Sequence, residues 1–253
     1  MAQTANSKYA LSIENLTVQF GGLLALQNVD IAVPTGSRYG ILGPNGAGKT
    51  TLFNVISGFV KPTKGQVYLH GVDISKHPPH ERVKYGLART FQITTLFPEL
   101  SVLENILMAA LVQSGTSRVF WKPAHKDKVA VSIAETQLHD LALMHLADKT
   151  VNELAYGEQR LLEIAVALAS NPRVLLLDEP TAGLSTAEIK AVVQLVNSLP
   201  KDLTIVMIEH DLDVIFDISE YLSVLHGGQA IAHGPASEIR HDERVKEVYL
   251  GES

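Results

Sequence analysis

The chain has 253 residues, enough for one large α/β domain or two lobes, and its 46% hydrophobic and 19% charged content is that of a globular protein. The absence of cysteine excludes disulfides and thiolate-bound zinc, and the net charge of −6 without a basic block argues against nucleic acid as a partner. No apolar run approaches the ~18 residues that a membrane span needs, and no basic segment followed by an apolar core marks a signal peptide. Residues 1–10 are small and polar and read as a frayed end. LSIENLTVQF and LQNVDIAV, within residues 11–35, predict two short strands. Residues 39–42 read as a buried strand, residues 49–57 as a helix, and KPTKGQVYLHG as a turn into a further strand. From about 101 to 152 the pattern becomes helical, with Ser101 and Glu104 as a capping box at its start. Strands are expected again from 174, at 204–208 and at 221–225, and residues 235–250 read as two short helices.

The strand–loop–helix at 39–57 holds the densest chemistry. Gly43, Pro44, Asn45, Gly46, Ala47, Gly48, Lys49, Thr50 and Thr51 fit the Walker A pattern, and the surrounding strand and helix are the context that the pattern requires. Glycines at 43, 46 and 48 let backbone N–H groups approach phosphate oxygens with no Cβ in the way, and the helix start adds partial positive charge. Lys49 would reach the β- and γ-phosphates of a nucleotide, and the Thr50 hydroxyl would bind Mg²⁺. A second signal lies at Asp178 and Glu179, which end the apolar run 174–177. Carboxylates at the carboxyl end of a buried strand stand where open α/β sheets bind ligands. Asp178 would hold the Mg²⁺ shell, and Glu179 would polarise an attacking water as general base.

Three further elements follow the same order in the chain: TFQ ending at Gln92, LAYGEQ at 154–159, and IEHD ending at Asp211. Together the five resemble the nucleotide-binding subunit of an ABC transporter. That resemblance implies an α/β fold: a P-loop NTPase core with an antiparallel β subdomain and an inserted α-helical subdomain. The core would cover about 11–100 and 172–253, and the helical signature subdomain about 101–171. It implies ATP and Mg²⁺ as cofactors, Gln92 as the Q-loop glutamine beside the metal and water, His210 as the switch histidine at the γ-phosphate, and Phe20 stacking on adenine. A core position is the rival reading of Phe20. LAYGEQ stands where the family usually has LSGGQ. Ala155, Gly157 and Gln159 would then face the ATP of a partner subunit, with one hydroxyl lost at Ala155 and a tyrosine, Tyr156, in place of a glycine. Ser185 replaces the acidic or amide residue usual at the end of the D-loop. It equally suits the N-cap of the next helix, with Glu188 completing a capping box.

The stretches ARTFQITTLFPELSVLENI and HGGQAIAHGPASEIRHDERVKEVYLGE resemble the branched-chain amino acid transport subfamily. This implies an ATPase that energises a membrane importer for branched-chain amino acids or related small polar solutes. It would sit peripherally at the cytoplasmic face of the cell membrane, bound to transmembrane permease subunits and to a second ATP-binding subunit, in a homo- or heterodimer. Leu96, Phe97 and Pro98, with the helical region after Ser101, would form the docking face. The alternatives are the ATPase of a lipid or lipopolysaccharide exporter and a soluble, non-transport ABC ATPase.

Overall fold

The protein is described here by a computed structural model that covers residues 8–90, 96–113 and 127–250. Alternating apolar and polar residues build β1 (Tyr9–Phe20) and β2 (Leu23–Pro34), a hairpin closed by Gly21 and Gly22 with Phe20 opposite Leu23. β1 begins at Tyr9, inside the stretch expected to fray. Next come β3 (Arg38–Leu42), α1 (Lys49–Ser57), β4 (Lys64–Leu69), β5 (Val72–Asp73), α2 (Pro79–Arg82) and β6 (Leu87–Arg89). The helical region holds α3 (Val102–Gln113), α4 (Lys128–Asp140) and α5 (Tyr156–Leu168). The chain continues through β7 (Val174–Asp178), α6 (Thr186–Ser198), β8 (Thr204–Ile208), α7 (Leu212–Ile218), β9 (Tyr221–His226), β10 (Gln229–Pro235), α8 (Ala236–Ile239) and α9 (Glu243–Leu250).

The chain divides into two compact units. The first takes residues up to 89, 173–179 and 199 onward, and holds both sheets. One is antiparallel, in the order β2-β1-β4-β5; the other runs β10-β9-β3-β8-β7-β6, parallel except for the β9–β10 pair. β3, β7 and β8 are buried at every residue, as parallel strands covered on both faces must be. The second unit takes 90–172 together with 180–198, so α6 clusters with the helices rather than with the core lobe in which the sequence reading put it. Its core includes Val102, Ile106, Ala110, Ala134, Leu138, Leu162 and Ala165. The capping box at the start of α3 is present: Ser101 N–H donates to Glu104 at 2.8 Å and Glu104 N–H to the Ser101 hydroxyl at 3.1 Å. The expected docking face splits, because Leu96 is buried in this core while Phe97 is 53% exposed.

Helix α1 stops through two devices. Gly58 adopts a left-handed conformation at φ 87°, which lets Gly58 and Phe59 N–H groups return to Val55 and Asn54 carbonyls. Arg82, fully buried, then donates to the carbonyls of Val55 and Ile56 at 2.6 Å each and to that of His77 at 2.8 Å. Burial pushes its guanidinium down to about 10, still charged at neutral pH. Replacing Arg82 with Ala takes the guanidinium bonds from the Ile56 and His77 carbonyls and leaves the Val55 carbonyl with the Gly58 N–H alone. Bonds to charged donors are worth roughly 1.5–3 kcal/mol each, so Arg82→Ala is expected to cost about 3 kcal/mol or more in urea unfolding at unchanged slope. A loss under about 1 kcal/mol would show that water replaces the guanidinium.

Candidate nucleotide-binding site

β3 leads straight into the loop at 43–48. Gly43 sits where a Cβ would come within 2.3 Å of the Leu225 carbonyl, and Gly48, at φ 102°, where it would come within 2.7 Å of Leu26 and 2.8 Å of the Ala25 carbonyl. At Gly46, φ 79°, a Cβ would meet nothing within 4 Å, so this glycine serves the backbone conformation and leaves the loop's outer side open. Asn45 and Gly46 are exposed, Pro44 and Ala47 buried; Thr50 is exposed and Thr51 half-buried on the first turn of α1. The Lys49 ammonium, on a buried side chain, donates to the Gly43 carbonyl at 2.5 Å and to that of Pro44 at 2.9 Å. The cation is therefore held at the loop itself. α1 carries no acidic residue in its first turn, so nothing there opposes an arriving anion.

At the end of β7, the Asp178 carboxylate is buried and accepts a bond from Arg89 at 2.6 Å. The same guanidinium reaches Asn54 Oδ1 at 2.8 Å and Ser57 Oγ at 2.7 Å on α1. Arg89 opens no recognisable motif within ARTFQ, and its contacts appear only in the fold. The signal was an arginine as the last residue of an otherwise apolar strand. Glu179 has φ 49°, a left-handed conformation unusual for a non-glycine residue, and its N–H is fixed by the Ile208 carbonyl at 3.0 Å. Its carboxylate meets His210 Nε2 at 2.7 Å, with the histidine side chain 46% exposed and the glutamate 14%. Strand ends thus bring Lys49, Asp178, Glu179 and His210 into one unit. Phe20, at the hairpin tip, is 49% exposed, which removes the core reading. Gln92 lies outside the described residues.

The signature residues belong to the second unit. Ala155 is the N-cap of α5, and Tyr156 is its first helical residue. Glu158 accepts the Ala155 N–H at 2.8 Å, but an alanine methyl cannot return the bond, so the cap is half made. Gly157 N–H donates to Glu188 at 3.1 Å, and a Cβ at Gly157 would lie 2.5 Å from that carboxylate. Glu188 also takes the Ser185 N–H at 2.8 Å and hydroxyl at 2.6 Å; the Ser185 hydroxyl is the main cause holding its carboxyl below the usual range. Gln159 turns back to the Leu154 carbonyl at 3.2 Å. The link from Glu188 to Gly157 joins residues 31 apart and was not legible in the sequence.

A glycine-lined phosphate loop with a buried lysine, and a carboxylate–histidine pair at neighbouring strand ends, define a nucleotide-binding ATPase core. Residues 26–182 match the ABC transporter family model, and residues 231–253 match that of the branched-chain amino acid ATP-binding cassette transporter. The chain belongs to the ABC transporter family. It is 38% identical to the high-affinity branched-chain amino acid transport ATP-binding protein BraF of Pseudomonas aeruginosa, over 98% of this chain and all of that one. A solved ATP-binding cassette of an ABC transporter in its ADP conformation matches at TM-score 0.87 and 36% identity, covering 96% of this chain and 99% of the other. A dimeric cassette in a post-hydrolysis state, bound to ADP and Pi, matches at TM-score 0.72 and 26% identity, covering 89% and 98%.

Two outcomes test the loop and the cap. Gly48→Ala forces a Cβ onto the Ala25 carbonyl at a strained φ; it is expected to destabilise the chain by ~1–3 kcal/mol and to erase the ATP-induced rise in melting temperature. A retained thermal shift would show that the loop tolerates movement away from β2. Ala155→Ser supplies the missing acceptor for the Glu158 N–H and should stabilise the chain by ~0.5–2 kcal/mol, read by urea unfolding. No gain would mean that Glu158 and Glu188 already satisfy this helix end.

Proposed function

We propose that this ATPase energises a membrane importer for branched-chain amino acids or related small polar solutes. In this reading it is a peripheral subunit at the cytoplasmic face of the cell membrane, bound to transmembrane permease subunits and paired with a second ATP-binding subunit. The cargo assignment rests on similarity over nearly the whole chain to branched-chain amino acid transport ATP-binding proteins. The dimer rests on the likeness to the dimeric cassette. The hydrolytic reading rests on one observation, the 2.7 Å contact between the Glu179 carboxylate and His210 Nε2 beside the lysine loop.

The residues fit an ATP–Mg²⁺ complex. Gly43 and Gly48 let the loop pack against Leu225 and Ala25, Gly46 leaves its outer side open to phosphates, and Lys49 supplies the fixed cation. Backbone N–H groups within 46–50 and the Thr51 side chain would line the phosphates. Thr50, Asp178 and Gln92 would hold Mg²⁺, which when bound neutralises charge on the β- and γ-phosphates. Glu179 accepts the proton of the attacking water. His210, hydrogen-bonded to Glu179, keeps that carboxylate oriented and reaches toward the γ-phosphate from an exposed position. Phe20 offers an exposed ring for adenine. Ala155, Gly157 and Gln159 serve the ATP of the partner subunit. ATP binding favours the closed dimer and hydrolysis releases it, which moves the permease.

Glu179→Gln retains shape and one acceptor but is a poor base. Turnover is expected to fall ~10²–10⁴-fold while ATP still raises the melting temperature. Turnover within a few-fold of wild type would remove Glu179 from the reaction. The cargo reading is tested separately, by uptake of labelled leucine in cells carrying Glu179→Gln in place of the wild-type chain; undiminished uptake would exclude it.

A further inference from the structure

Asp178 is gripped by Arg89. Arg89 ends β6, is nearly inaccessible to solvent, and spreads its guanidinium across two elements. One nitrogen donates to Asp178 at 2.6 Å, while the other donates to Asn54 at 2.8 Å and to Ser57 at 2.7 Å. The guanidinium carbon stands 5.5 Å from the centre of the Phe53 ring, which shields it. An arginine whose only task was to neutralise Asp178 would best face it with both nitrogens, in a bidentate pair. Here the fork is divided instead, with one prong on the carboxylate and one on the helix that leaves the phosphate loop. Such a buried pair adds little net stability, because desolvation offsets the attraction. What it does fix is geometry. The Asp178 carboxylate cannot rotate without breaking a bond to a group that α1 also holds.

We propose that Arg89 is a positioning residue for the hydrolytic site, clamping the Asp178 carboxylate to α1 so that metal-bound nucleotide meets it in one orientation. The proposal rests on the reading of Asp178 as a carboxylate that serves Mg²⁺. A lysine cannot take this place in full, since a single ammonium lacks the planar fork that spans two elements.

The test is the ATP dissociation constant of the full chain, measured by calorimetry once with Mg²⁺ and once with EDTA. The quantity read is the tightening that Mg²⁺ brings. Loss of a partner behind a metal-serving ligand typically costs ~10–100-fold in metal affinity, so Arg89→Gln is expected to cut the tightening by that factor and to leave the EDTA value within about twofold. Arg89→Lys should restore only part of it. If Arg89→Gln does not fold, the double variant Asn54→Ala, Ser57→Ala keeps the arginine and removes its anchors on α1; it is expected to lose part of the tightening. Full tightening in either folded variant overturns the proposal, and so does an equal loss of ATP affinity with and without Mg²⁺. Asp178→Asn separates the two readings. If it leaves the tightening intact, the role of Asp178 fails and the proposal with it; if it abolishes the tightening while Arg89→Gln does not, only the proposal fails.

Discussion

Burial of the central strands on both faces is the constraint from which the site follows. β3, β7 and β8 expose no residue along their length, so polar chemistry on them is possible only where they end. The parallel pairing sets these ends side by side: Ile41 lies opposite Ile208, and Asp178 opposite Ile208 on its other flank. One residue beyond each strand, the chain escapes the sheet and can carry charge. Glu179 and the run Glu209–His210 occupy the first positions past β7 and β8, and the phosphate loop those past β3. The 2.7 Å contact of Glu179 with His210 is thus a consequence of strand register more than of any local preference.

The conformations needed at those exits are ones that side chains resist. Gly43 and Gly48 meet backbone that would clash with any Cβ, so glycine is imposed by close approach as well as by φ. Glu179 cannot be replaced by glycine without losing its carboxylate, yet it holds φ 49°. A left-handed non-glycine residue costs on the order of 1–3 kcal/mol and persists only where surrounding contacts over-determine it. Here the bond to the Ile208 carbonyl and the contact with His210 do so from two sides. The strain sits on the residue proposed as the general base.

Local rules made part of this legible. Continuous apolar runs announced β3, β7 and β8, and the Ser101–Glu104 pair announced the start of α3, because each signal lies within a few neighbouring residues. β10 and the assignment of α6 to the helical unit were missed, since the first is a mixed stretch with little periodicity and the second depends on packing between distant segments. In the site, the glycine spacing and the acids at the strand end were readable from residue type alone. Arg89 was not, because its partners Asn54, Ser57 and Asp178 are brought together only by sheet pairing. Phe20 stood between stacking and core, a question that exposure decides and sequence does not.

The two glycine-bearing helix starts use the same backbone field in opposite ways. At α1 the first turn holds no acid, Gly48 leaves the N–H groups uncovered by any side-chain cap, and Lys49 adds a full positive charge. In the proposed reading that field is directed at the phosphates of ATP. At α5 two carboxylates of the same unit already engage the helix start: Glu158 takes the Ala155 N–H, and Glu188 takes that of Gly157. Each satisfies a donor that would otherwise need water, which steadies α5 in the single chain despite the missing hydroxyl at Ala155. The same two charges weaken its pull on a further anion. Glu188 does so while tethered to Ser185, so the start of the signature helix is tied to the start of α6. In the proposed reading the α1 start captures phosphate, while the α5 start engages carboxylates of its own unit first.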